Sequence, residues 1–92
     1  MMIETLCNRM REEMDDCSYY AEKALWYQDK YPEIAKAFRL LSEQEHGHAL
    51  VIYDAAKRCI GEEEWEAKLL EYEKEVVDER AAKVKEIWAK IR

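Results

Sequence analysis

Pro32, Gly47 and Gly61 are the only proline and glycines in 92 residues. These residues are the strongest local breakers of regular structure, so a chain this short of them runs in long unbroken segments. Hydrophobic residues make up 49 % and charged residues 39 %, a mixture that excludes disordered and turn-rich all-β chains and points to amphipathic helices. The spacing predicts three. The first runs from about Ile3 to about Gln28 and ends at "QDKYP". Pro32 suits the first turn of a second helix, with Glu33 at its positive end. That helix runs to about Ile60, where Gly61 reads as the residue just past a helix C-terminus. A third helix opens on the acids of "EEEW" and ends in Lys90 and Arg92, charges that complement its dipole.

Apolar residues then locate the faces. On the first helix Ile3, Leu6, Met10, Glu13, Cys17, Tyr20, Ala24 and Tyr27 step alternately by three and four. On the second, Ile34, Phe38, Leu41, Glu45, His48, Ile52, Ala55 and Cys59 do the same. The third is amphipathic through Trp65, Leu69, Tyr72 and Val76, then Val84, Ile87, Trp88 and Ile91. The short connection makes the first two helices antiparallel neighbours. With a turn near Lys30, facing residues have numbers summing to roughly 58–61. Glu13 then stands level with Glu45 and His48, so the polar interruptions of both stripes fall in one layer.

Both histidines of the chain lie in "LLSEQEHGHAL". They form two overlapping Glu-x-x-His pairs, Glu43 with His46 and Glu45 with His48. Spacing of i and i+3 stacks each pair on one helix face. Glu45 and His48 belong to the inward stripe. Glu43 and His46 share a row with Lys36, Arg39 and Leu50 that reads as a flank or solvent face. Three ionisable groups in a helical core are expensive unless an ion or a closed hydrogen-bond network holds them. Carboxylate oxygens with an imidazole suit iron or manganese, with zinc as a competitor. The candidate metal ligands are therefore Glu13, Glu45 and His48. The alternative is a buried polar network without metal. Tyr20 and Tyr27 read as core residues.

A four-helix di-metal site takes one Glu from each of two helices and Glu-x-x-His from each of two others. This chain supplies one of each, so two copies about a two-fold axis would supply the set. The stretches "EEMDDCSYYAEKAL" and "PEIAKAFRLLSEQEHGHAL" resemble the ferritin-like superfamily, in particular rubrerythrin-type domains and half-length encapsulated ferritins. Glu13 precedes Glu45 at the spacing those families use, and His48 stands where their histidine does. The resemblance covers residues 3 to 60. It implies an all-α, ferritin-like antiparallel hairpin, di-iron binding, and oxygen or peroxide chemistry of a ferroxidase or peroxidase kind. Rubrerythrins and ferritins carry two such hairpins per chain, whereas this chain has one. Its third helix lacks histidine, and the cysteine pairs of a rubredoxin domain are missing.

The expectation is thus a single helical domain over 1–92, with a metal-binding hairpin over 1–60 and a packing or oligomerisation helix over 62–92. A four-helix bundle would be completed by a homodimer or higher homo-oligomer. The other function class is a non-catalytic helical assembly module of the same shape. A net charge of −6 argues against a nucleic-acid partner. No apolar run approaches the ~18 residues of a membrane span, and "MMIETLCNRM" lacks signal-peptide order. Cys7, Cys17 and Cys59 lack paired spacing and read as reduced core thiols in a cytoplasm.

Overall fold

The computed structural model describes the backbone of residues 2–58 and 63–92, and the side chains of 4–58 and 67–92. Among these residues the chain is helical almost throughout, with no strand. Helix α1 spans Met2–Tyr27 and α2 spans Pro32–Arg58. A third rod comprises α3 (Glu63–Tyr72), a π-helical stretch (Glu73–Arg80) and α4 (Ala81–Lys90). Cys59, Ile60 and Gly61 lie outside the described residues, as do the side chains of Ile3 and Trp65.

Pro32 is the first residue of α2, where its missing N–H has no partner to lose. The Tyr31 N–H donates to Tyr27 O at 2.8 Å, and the Ala35 N–H to Tyr31 O at 3.0 Å. The reversal is thus closed by backbone bonds. Helices α1 and α2 form an antiparallel hairpin in the expected register. Cys17 lies against Ser42 and Tyr20 stacks on Phe38, both pairs within the anticipated sum.

Each stripe is turned relative to expectation. On α1 the buried residues are Cys7, Met10, Glu13, Met14, Cys17, Ala21 and Ala24, while Leu6, Tyr20 and Tyr27 are half-buried. On α2 they are Ala35, Ser42, Ala49, Tyr53 and Ala56, while Ile34, Leu41, His48 and Ala55 are exposed. The cause is the third rod. It packs on one side of the hairpin and covers that edge of each stripe, leaving the opposite edge open.

The third rod buries Leu69, Tyr72, Val76, Ala81 and Val84. The step of five from Val76 to Ala81 is out of phase with an α-helix and in phase with i→i+5 bonding. Accordingly, the Ala81 N–H reaches Val76 O. The π stretch absorbs the extra residue, so both halves of the rod present their apolar faces to the same hairpin. Ion pairs of Arg11 with Glu75 and of Arg80 with Asp15 tie this stretch to α1.

Trp88 fastens α4 to the hairpin. Its Nε1–H donates to Ser42 Oγ at 2.9 Å, and the Ser42 hydroxyl donates to Cys17 O at 2.7 Å. One serine thereby links all three rods. Gly47 has nothing within 4 Å of a Cβ built on it, so no contact within the chain requires a glycine there. No described helix is long and apolar enough to cross a membrane.

Candidate metal centre

The level predicted to hold the polar layer does hold it. Glu13 projects from α1 toward α2, with 7 % of its side chain accessible. Glu45 projects from α2, and His48 stands one turn further along the same edge. His48 Nδ1 lies 3.4 Å from Glu13 Oε2 and 3.7 Å from Glu45 Oε1. Donor atoms of all three residues fall within 4.8 Å of one another. Two donors that each sit ~2.1 Å from one ion are at most ~4.2 Å apart, and both imidazole distances meet that limit. Hard carboxylate oxygens with a borderline imidazole nitrogen fit iron or manganese, and zinc as well.

The electrostatics express the crowding. Glu13 and Glu45 share a hydrogen bond. Through that bond, and then through burial and the Glu13 charge, Glu45 is raised to about 7. The same bond holds Glu13 below the ordinary carboxylate value, helped by Arg9 and His48 and opposed by burial. Two carboxyls at one site cannot both ionise cheaply, so one keeps a proton for the pair. The Arg9 guanidinium adds a contact that sequence spacing could have exposed, four residues before Glu13. Its Nη2 lies 2.8 Å from Glu13 Oε1, while Nη1 lies 3.1 Å from Glu12 Oε2.

The second Glu-x-x-His pair is not a pair in space. His46 and His48 are two residues apart, hence roughly 200° apart around α2. The His46 ring meets Trp88 edge-on, with centroids 5.6 Å apart, on the side covered by α4. Burial, and then Lys85, push its pKa down. Glu43 turns instead to Arg39, at 3.0 Å on the surface. The flank expected for His46 is therefore a packed helix contact, not a solvent face. Cys17, close to this level, is buried, with its thiol pushed up by that burial. A cavity of about 290 Å³ between α1 and α3, lined by Glu4, Cys7 and Arg11 among others, contains none of the three donors.

His48 remains 59 % accessible although its neighbours are sheltered. The group thus opens onto the edge of the hairpin that faces away from the third rod. The same edge carries Ile34 and Leu41, 45 % and 38 % exposed.

An antiparallel helical hairpin whose facing stripes gather two carboxylates and an imidazole in one layer defines a ferritin-like, all-α protein with a carboxylate-type centre. The chain belongs to the rubrerythrin family, which it matches over residues 4–90. Members of that family typically bind a pair of irons. No curated protein and no solved structure matches the chain significantly.

Proposed function

We propose that this chain is half of a di-iron carboxylate protein. Two copies lay the open edges of their hairpins together, and Glu13, Glu45 and His48 of each copy hold the metal pair. One observation carries the reading. The donor group sits on the uncovered edge of the hairpin, the edge that also carries exposed Leu41 one turn before Glu45 and Ile34 further along α2, rather than under the third rod. A site with three donors per chain is half of the two-Glu, two-Glu-x-x-His set of a four-helix centre. Chain 1–92 then acts as one domain, with the third rod as packing support for the hairpin. Manganese or zinc could occupy the same donors. Buried free thiols at Cys7 and Cys17 suit a reducing cytoplasm.

Bound iron would supply one-electron redox chemistry, with oxygen or peroxide as the oxidant, giving a ferroxidase- or peroxidase-like activity. Glu13 and Glu45 contribute charge that favours the higher-valent ion. The proton they share must leave for both to bind metal. His48 would bind through a neutral imidazole nitrogen. Met10, fully buried one turn before Glu13, and half-buried Ile52 limit water around the layer.

A second reading is a helical assembly module without turnover. The contacts of Arg9 and His48 with Glu13 favour it, because they already close the polar network without an ion. Elemental analysis after ferrous loading separates the two. Wild type is expected to carry about one metal per chain, as two per dimer, and His48→Ala markedly less. Equal content in both proteins overturns the assignment.

A further inference from the structure

We propose that Arg9 is a resident counter-cation of the metal site, one that an incoming divalent ion must displace onto Glu12. The inference rests on the metal reading above and concerns the entry of the ion. Both oxygens of Glu13 are engaged: Oε1 by Arg9 Nη2 at 2.8 Å and Oε2 by His48 Nδ1 at 3.4 Å. While the guanidinium stays, a metal on Glu13 must share Oε1 with a positive charge 2.8 Å away, and the two cations repel. Arg9 can leave because its side chain is 60 % accessible, on the open edge of the hairpin. It also has somewhere to go. Its other terminal nitrogen, Nη1, already lies 3.1 Å from Glu12 Oε2, at the exposed surface. A guanidinium spans two carboxylates at once, which an ammonium point charge does less well. Losing Glu13 therefore leaves Arg9 still paired.

The arrangement has a chemical purpose. Without a metal ion, the Glu13 and Glu45 carboxyls and His48 crowd together within 4.8 Å, and Arg9 supplies the positive charge nearest to Glu13 Oε1. An entering ion must outcompete a positive charge already in place. Divalent and trivalent ions do so, whereas monovalent ions, with half the charge or less, do not. Arg9 thus sets a threshold on which cations enter, and Glu12 sets how readily it yields.

Anaerobic calorimetric titration with Mn²⁺, which needs no turnover, tests this on wild type, Arg9→Gln, Glu12→Gln and the double variant. Arg9→Gln is expected to bind roughly three- to tenfold tighter, the size of a part-exposed charge-assisted pair. Glu12→Gln is expected to bind more weakly than wild type, because Arg9 then has only Glu13. In the Arg9→Gln background the Glu12 change is expected to have no effect. A charge acting only at a distance would instead lower affinity by the same factor in both backgrounds, and that result overturns the proposal. So does an Arg9→Gln variant that binds no tighter than wild type. A wild type that binds Mn²⁺ and is insensitive to Arg9 leaves the metal site standing and removes only this inference. A wild type that takes up neither Mn²⁺ nor iron removes both.

Discussion

His48 on α2 lies 3.4 Å through Nδ1 from Glu13 Oε2 on α1, although the two belong to different helices and the intervening chain runs around the turn at Pro32. This contact unites the polar interruptions of two apolar stripes. It also separates the roles of the two histidines, because His46, two residues earlier, is turned to Trp88.

The two histidines should therefore fail in different ways. His46→Ala is expected to lower stability by about 1–2 kcal/mol through loss of its ring contact with Trp88, with metal content retained. His48→Ala is expected to lose metal with little change in the stability of the metal-free protein. Thermal unfolding and elemental analysis of both variants check the pair. A His46 variant that loses metal as completely as the His48 variant would contradict the division.

The contribution of Glu45 to the stability of the metal-free protein should fall as pH rises toward neutrality. Glu45 has an ordinary value of 4.5 and sits at about 7 in the fold. Between these values the folded chain holds a proton that the unfolded chain has released, so raising pH favours unfolding. This contribution is fully present below 4.5 and lost as pH rises through about 7. Glu13 is shifted the other way, so its contribution is lost only at acid pH, below 4.5 and outside this window. Burial and Lys85 hold His46 below its ordinary value, so its contribution grows with pH across the same range. The Glu45 contribution is therefore read against Glu45→Gln. Wild type is expected to lose a few degrees relative to that variant between about pH 5 and about pH 8. Equal shifts in melting temperature in the two proteins would contradict this.

Ser42 should matter beyond its size. Ser42→Ala removes the acceptor of the Trp88 Nε1–H and the donor to Cys17 O. The expected loss is about 1–3 kcal/mol, the cost of leaving such groups without partners. Denaturant unfolding measures it, and a change under about 0.5 kcal/mol would show that Trp88 finds another partner.

The open edge should govern assembly. Leu41→Glu places a charge on a surface that is 38 % exposed in the isolated chain, so the fold should change little. Light scattering with size-exclusion chromatography is expected to show a smaller assembly than wild type, with helical content by circular dichroism preserved. An unchanged assembly would move the subunit contact elsewhere.

Ferrous oxidation under air should depend on both carboxylates. Glu13→Ala and Glu45→Ala are each expected to slow it at least roughly tenfold relative to wild type. A wild-type rate equal to that of buffer would favour the assembly reading.

The sequence determined the long helical rods, because amphipathic runs with so few breakers leave little place to stop, and the first break falls at Pro32 as expected. It determined the hairpin register and, through that, the layer of Glu13, Glu45 and His48, since a polar residue on an apolar stripe is legible at helical spacing. The π stretch also left a trace. The apolar series breaks between Val76 and Val84, a phase shift that one extra residue at Ala81 resolves.

Tertiary structure alone decided which edge of each stripe is covered. A helical stripe is ~100° wide, and periodicity gives its centre more sharply than its margins. Leu41, His48, Ser42 and His46 all lie near it. Where the third rod lands makes Ser42 and His46 a packed contact with Trp88 and leaves Leu41 and His48 open. That landing site depends on non-local packing along the π-adjusted face of a helix far away in sequence, which no local pattern in α2 encodes.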